Sequence, residues 1–436
     1  MAKITGNTAA GIAESLEQAI DGGHILPGDR LPTVRALAHE LGVSPVTVAA
    51  AYRSLRQRGL ITAEGRRGTR VWAGTGRPYL STTPVPEGVR NLALGNPDPR
   101  LLPSLERALK AVSTRPALYG GLANLPELQE RVKAQLRSDG VAADRVAVVS
   151  GALDGIERVL ATSCRPGDGV LVEDPSFPRL LDLVRALGLR LVPVALDDHG
   201  PQPASLEQAL RGPVQAAIFT PRAQNPTGAC VSAGRAREIG QVLGHYPRLL
   251  VIEDDYVGPV AGASVHTLTR HRERWAHIRS VSKVLGPDLR IAFAAGDAKT
   301  LSQVETRQRL GAGWVSQILQ RITLELVSDP ATDRLLAQAG AAYAARRKAM
   351  IDALTRRGIQ ASGRSGINVW VPVEYEVGIT RALLEGGWAV AAGERFRIQS
   401  PPGIRITVAT LREEEADVVA DRISQRMQNL AWTQAG

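Results

Sequence analysis

Short apolar runs rich in β-branched residues alternate with helical patterns through the middle of this chain, and that alternation restricts the fold more than any other feature. The runs are Val146-Ala147-Val148-Val149, Gly169-Val170-Leu171-Val172, Ala216-Ala217-Ile218-Phe219 and Leu249-Leu250-Val251-Ile252, and helical spacing fills 154–163, 176–187 and 234–244 between them. Parallel strands need a long crossover, and a helix supplies it, so strand, helix, strand in repetition predicts an α/β parallel sheet with helices on both faces. Ligands in such sheets collect at the carboxyl ends of the strands. The polar residues directly after each run are therefore the candidates.

Four such places stand out. Ser150-Gly151-Ala152 opens a helix, whose first N–H groups form a ready anion site. Asn225-Pro226-Thr227-Gly228 follows the third run, Glu253-Asp254-Asp255-Tyr256 the fourth, and Ser280-Val281-Ser282-Lys283 comes after Ile278, with Arg290 seven residues on. An anion-binding helix start, an amide, a carboxylate, a hydroxyl-flanked lysine and an arginine are the parts needed to hold a phosphorylated aldehyde as a Schiff base. That is pyridoxal 5'-phosphate chemistry in outline. The chain has six lysines, and Lys283 alone stands in such a setting.

The N-terminal part has a different pattern. Ile12, Leu16, Ala19 and Ile20 recur at helical spacing, and Asp21-Gly22-Gly23 ends the helix. A second helix reads from Thr33 as N-cap through Val34, Leu37, Ala38 and Leu41 to Gly42. A third starts with Ser44 as N-cap and Pro45 at the first helical position, with Val48, Ala51, Tyr52 and Leu55 as its inner face. Leu60-Ile61 and Val71-Trp72 flank Gly65-Arg66-Arg67-Gly68 as a small hairpin with a basic tip. This is the layout of a winged helix-turn-helix. Residues 1–80 carry ten Lys/Arg against six Asp/Glu within a chain of 436 residues and net charge +10, which favours an anionic partner for this part.

The string "GDRLPTVRALAHELGVSPVTVAAAYRSLRQRGLITAEGRRGTRV" resembles the GntR family of regulators. The resemblance implies that Arg35, Ser44 and Thr47 approach double-stranded promoter DNA and that Arg66 and Arg67 meet its phosphates from the wing. Many members carry a base-reading arginine where this chain has Pro45, so the operator sequence does not carry over. Residues 73–90 are rich in Gly, Pro, Ser and Thr without periodicity, as an interdomain linker is. The expected organisation is a DNA-binding domain at 1–75, a linker at 76–92 and an aminotransferase-like domain at 93–436.

From about residue 90 to 430 the chain resembles a fold type I aminotransferase, with a large parallel or mixed sheet domain and a small C-terminal α+β domain, and the whole resembles the MocR subfamily of GntR regulators. By that resemblance Lys283 in "SVSKVLGPDLR" would bond the coenzyme aldehyde. Asp254 in "IEDDY" would pair with the pyridine nitrogen, with Asp255 only a neighbour. Asn225 and Tyr256 would bind the ring 3-oxygen, and Phe177 in "EDPSF" would stack on the ring. Gly151, Ala152, Ser280, Ser282 and Arg290 would hold the phosphate, with Tyr119 in "LYGG" reaching it from a second subunit of a homodimer. Arg405 in "GIRITVATL" would clamp a carboxylate of the small-molecule effector, since its planar guanidinium suits bidentate pairing.

Two departures matter. Leu153-Asp154 stands where aminotransferases commonly place a hydroxyl or amide, which predicts a nearby negative charge and weaker phosphate binding, and "YGGLANLPELQ" lacks the usual glycine of the substrate-side loop. "LGNPDP", "TPRAQNPTG" and "RSVSKVLGPDLR" most resemble the branch of the subfamily that governs a pyridoxal kinase in vitamin B6 salvage. The rival expectation is a working aminotransferase with an accessory DNA-binding module. Cys164 and Cys230 are the only cysteines and lack zinc-ligand spacing, so neither a disulfide framework nor a metal site is expected. The chain shows neither an uncharged apolar run of membrane-spanning length nor an apolar signal core, which predicts a cytoplasmic protein.

Overall fold

The computed structural model describes residues 4–21, 24–26, 28–57, 60–63, 68–71, 85–113 and 118–435. Arg66, Arg67 and residues 76–84 of the expected linker lie outside them. The chain divides into two compact units, one of Met1–Pro84 with Arg165–Asp168 and Asp182–Arg190, the other of Val85–Cys164, Gly169–Leu181 and Leu191–Gly436. Among the described residues no helix is long and apolar enough to cross a membrane.

The N-terminal unit packs α1 (Ala9–Asp21), α2 (Val34–Leu41) and α3 (Pro45–Gln57) beside the antiparallel strands β1 (Ile61–Ala63) and β2 (Thr69–Val71). Local chemistry sets the helix limits. Thr33 Oγ1 accepts the Ala36 N–H at 3.2 Å, and Gly42 closes α2 in the left-handed conformation at φ +64°, which costs glycine little. Ser44 Oγ accepts the Thr47 N–H at 3.1 Å and starts α3, whose Pro45 lacks an N–H that would have had no partner. Ile12, Leu16, Leu37, Val48, Ala51 and Leu55 are fully buried in one core, and the buried Tyr52 donates its hydroxyl to the Pro32 carbonyl at 2.8 Å.

In the large unit the strands are β3 (Arg90–Asn91), β4 (Val146–Val149), β5 (Gly169–Asp174), β6 (Arg190–Asp197), β7 (Gly200–Pro201), β8 (Ala216–Phe219), β9 (Leu250–Asp255), β10 (Trp275–Ser280), β11 (Ala292–Gly296), β12 (Asn368–Pro372), β13 (Trp388–Ala389), β14 (Ala391–Ala392) and β15 (Gly403–Thr407). Eight of them form one sheet in the order β4-β11-β10-β9-β8-β5-β6-β7. The neighbours β5, β8, β9 and β10 run parallel, as the strand–helix alternation predicts. The sheet as a whole is mixed, as the aminotransferase resemblance allows, because β11 is antiparallel to both β10 and β4. The physical reason is the connection: the segment from Val281 to Ile291 holds no crossover helix, so the chain returns beside β10 in the opposite sense.

A smaller C-terminal layer holds the sheet β12-β15-β14 and the helices Pro330–Thr355, Glu376–Glu385 and Glu415–Ala435 around a second core that includes Val369, Ile404, Ile406 and Val419. The last residues of the expected linker are built into this layer: β3 pairs in parallel with β13, and Leu92 is fully buried in the same core.

Candidate functional site

Strand β9 divides its acids by the two-residue alternation of an extended chain. Asp254 lies on one face of the sheet, and Glu253 and Asp255 lie on the other. On that second face Asp255 is fully buried, accepts from Arg222 Nε and Nη2 at 2.9 Å each, and accepts from Arg279 Nε at 2.7 Å. Burial alone would raise its pKa, but the two guanidinium groups reverse this and hold it well below the usual carboxylate range. His277 on β10 shares a 2.7 Å hydrogen bond with Glu253 Oε2; burial would lower its pKa, and Asp255 and Glu253 raise it instead.

Asp254 has no such partners. It is 6% exposed, its Oδ1 has no hydrogen bond, and burial followed by the charges of Asp255 and Glu173 pushes its pKa up to about 7, against the smaller opposing effect of His277. A buried carboxylate oxygen left without a donor is costly unless a ligand supplies one.

Tyr256, two residues on, feels the charges of both Arg405 and Asp254, and Arg405 in turn connects to Lys283 and Asn225. Arg405 comes from the middle of β15, is 5% exposed, donates Nη1 to Asn225 Oδ1 at 2.9 Å and Nη2 to the Ala93 carbonyl, and lies 4.9 Å from the centre of the Phe396 ring. Lys283 follows β10 and donates to the Gly95 carbonyl. Its pKa falls to about 8, first because burial penalises the ammonium and then because Arg405 repels it. Tyr256 donates its hydroxyl to the Ala223 carbonyl at 2.7 Å, and burial raises its pKa.

An anion cradle opens at the end of β4. The helix Ala152–Ser163 begins directly after Gly151, which sits at φ +104°; a Cβ there would lie 2.6 Å from Arg290 Nη2. The cradle exists because position 151 has no side chain. Arg290 itself is left-handed at φ +50° and exposed. The Ser280 and Ser282 hydroxyls are 3.0 Å apart at the end of β10, where Ser280 is in register with Ala292. The expected negative charge at Asp154 is present but engaged: its carboxylate accepts Arg158 Nε at 2.9 Å, Arg158 Nη2 at 2.8 Å and the Ser150 N–H at 2.8 Å. The charge is thus paired with Arg158 within the helix, and it also takes up the Ser150 N–H.

The other expected residues are placed as follows. Phe177 is half-buried at the start of the helix Pro178–Ala186. Tyr119 is 92% exposed and packs edge-on to Trp314 with ring centres 5.6 Å apart, so within its own subunit it stands on the surface. In the N-terminal unit Arg35 and Ser44 are exposed and Thr47 is half-buried, with the Ser44 and Thr47 hydroxyls 2.9 Å apart. Sequence reasoning passed over Glu173, Arg222, His277 and Arg279. The signal was a charge inside or beside an otherwise apolar strand run, since such a charge is buried and needs a partner or a purpose.

A winged helix ahead of an aminotransferase-like unit, with a lysine, an unpartnered acid and an anion cradle at the carboxyl ends of its strands, defines the class. Residues 8–71 match the family described as bacterial regulatory proteins, gntR family, and residues 87–423 match aminotransferase class I and II. The chain belongs to the MocR subfamily of GntR transcriptional regulators. It is 39% identical over 427 residues to the vitamin B6 salvage pathway transcriptional repressor PtsJ of Salmonella typhimurium, covering 97% of this chain and 99% of that one. It is 27% identical to a 2-aminoadipate transaminase of Thermus thermophilus, over 84% of this chain and 97% of that one. Among solved structures the α-aminoadipate aminotransferase LysN, also of Thermus thermophilus and complexed with N-(5'-phosphopyridoxyl)-L-leucine, superposes with a TM-score of 0.70 at 23% identity, covering 80% of this chain and 94% of that one.

Proposed function

We propose that this protein represses or activates transcription in response to pyridoxal 5'-phosphate or its adduct with an amino compound, binding promoter DNA as a cytoplasmic homodimer and serving vitamin B6 salvage. The observation that carries the reading is the bare, buried Asp254 Oδ1 on β9, with a lysine of depressed pKa directly after the neighbouring strand β10. The residues present fit this coenzyme. Asp254 suits a ring N–H donor, the Gly151 cradle with Ser280, Ser282 and Arg290 suits a phosphate, and Lys283 suits an aldehyde.

When bound, the coenzyme supplies an electron-withdrawing ring that activates an attached amine. Everything else is the work of the chain. Lys283 is the nucleophile, since its depressed pKa leaves a useful fraction neutral at physiological pH. Asp254 keeps a proton on the ring nitrogen by accepting it as a hydrogen bond. Asn225 orients Arg405, and Arg405, already desolvated, offers a fork to an effector carboxylate. Arg35, Ser44 and Thr47 face the duplex, with Arg66 and Arg67 on its phosphates, and Tyr119 extends to the partner subunit's phosphate. Ligand binding shifts DNA affinity only by its preference between two arrangements of the dimer, typically about 1–3 kcal/mol.

The test mixes purified protein with pyridoxal 5'-phosphate and a panel of amino acids, following visible absorbance, keto-acid product and promoter affinity. The expected result is colour in the wild type but not in Lys283→Ala, promoter affinity that changes with coenzyme, and no keto acid beyond one equivalent. Colourless protein or coenzyme-independent promoter binding overturns the reading. Multiple turnovers instead establish the aminotransferase alternative.

A further inference from the structure

Ala223 takes a conformation that alanine rarely adopts. It stands at φ +55°, buried, in the loop that leaves β8 and carries Asn225. A residue with a side chain stays in that region only where its surroundings determine it. Two neighbours do so, and both come from the segment ahead of β12. Ser365 is fully buried, and its Oγ accepts the Ala223 N–H at 2.7 Å. Gly366 packs against the Ala223 methyl: a Cβ at position 366 would lie 2.4 Å from the Ala223 Cβ, so the fit exists only because Gly366 has no side chain. Gly366 is itself fixed, donating its N–H to the Ala261 carbonyl at 2.8 Å and giving its own carbonyl to Arg347 Nη1.

The left-handed turn directs the Ala223 carbonyl, which accepts the Tyr256 hydroxyl at 2.7 Å. A phenol has one proton and two lone pairs, so Tyr256 can give its proton to Ala223 and still accept from a hydroxyl on a bound ring. Ser365 also holds the far end of the same loop. Its N–H goes to the Gly228 carbonyl at 2.9 Å, and its hydroxyl, having accepted from Ala223, donates to that carbonyl at 3.4 Å. Residues 223–228 are thereby closed onto one serine, with Asn225 between the two ties. Asn225 Oδ1 in turn accepts Arg405 Nη1 at 2.9 Å. One buried side chain therefore fixes the backbone on which both Tyr256 and Asn225 depend.

We propose that Ser365 is a positioning residue for the coenzyme's 3-oxygen: by holding Ala223 left-handed and closing the 223–228 loop, it sets the Tyr256 hydroxyl and the Asn225 amide where that oxygen meets them. The inference rests on the reading given under Proposed function, together with the 3-oxygen contacts that the aminotransferase resemblance implies for Tyr256 and Asn225. Ser365 acts through these two residues, and no bond is made or broken.

The experiment measures, by titration calorimetry on the full-length protein, the dissociation constants of pyridoxal 5'-phosphate and of its analogue lacking the 3-hydroxyl. Ser365→Ala is expected to bind pyridoxal 5'-phosphate about tenfold more weakly than the wild type, the worth of one hydrogen bond, and to bind the 3-deoxy analogue within about twofold of it. A merely structural role would weaken both ligands equally, and that result overturns the proposal. Adding Ala223→Gly to Ser365→Ala should restore most of the loss, because glycine enters the left-handed region with nothing to hold it there. An absence of recovery overturns the proposal as well. Where Ser365→Ala fails to fold, Ser365→Cys, of similar shape and with a poorer acceptor, carries the same test: a loss confined to pyridoxal 5'-phosphate is expected, and equal losses overturn the proposal. Failure of the wild type to bind pyridoxal 5'-phosphate at all sinks the coenzyme site itself, a result distinct from either of these.

Discussion

The pKa of Lys283 leads to a rate prediction. With its midpoint at about 8 instead of the ordinary 10.5, about one side chain in eleven is neutral at pH 7, against about one in three thousand for a solvated lysine. The difference is about 300-fold in the concentration of the nucleophile. Coenzyme bonding, followed by stopped-flow absorbance at saturating pyridoxal 5'-phosphate, should therefore speed up about tenfold per pH unit below pH 8 and level off above it. Arg405→Gln removes the second cause and keeps the first. Its plateau should move to higher pH while remaining below 10.5, because burial, the larger cause, is untouched. A wild-type rate that keeps climbing between pH 9 and 10 would refute the argument from desolvation. A plateau unmoved in the variant would refute the part assigned to Arg405.

Two further expectations test local geometry. Gly151→Ala places a Cβ 2.6 Å from Arg290 Nη2 at φ +104°, a conformation that costs a non-glycine residue about 1–3 kcal/mol. Binding of pyridoxal 5'-phosphate should weaken accordingly in absorbance titrations while binding of phosphate-free pyridoxal stays the same; equal losses for both ligands would place the phosphate elsewhere. Thr33→Ala deletes the cap that accepts the Ala36 N–H and should destabilise the N-terminal unit by about 0.5–2 kcal/mol in denaturant melts followed by circular dichroism, with coenzyme absorbance unaltered. An unchanged melt would show that the cap contributes nothing there.

How much of this was legible in the sequence depended on how local the cause was. Thr33, Gly42 and Ser44 were readable because a cap acts within four residues of itself. The strands around 146, 169, 216 and 250 were readable because strands buried on both faces are continuous apolar runs. The direction of β11 was not, since it depends on the absence of a helix between Val281 and Ile291, and no apolar period in β11 itself encodes that. Asp154 was legible only in part. Its charge was visible, but Arg158 one turn later was not weighed as its partner, although an i,i+4 pair on a helix is a short-range feature. Glu173 and Arg222 were out of reach, because what they touch is decided by strand order and not by spacing along the chain.

The adjacent acids of β9 show why residue type alone could not assign the site. Asp254 and Asp255 are chemically identical neighbours, yet one is held ionised and the other sits near 7. Strand alternation sends them to opposite faces, and the far face contains Arg222 and Arg279. Those arginines do two things: they offset the desolvation of Asp255, and by committing both guanidinium groups to it they leave Asp254 without a cation. Had either reached the near face, Asp254 would be satisfied before any ligand arrived, and a ring N–H would have to displace a charge-assisted bond of about 1.5–3 kcal/mol to gain a place there. The charged cluster behind the sheet thus keeps the front of the sheet one donor short, a shortage that the proposed protonated heterocycle would fill.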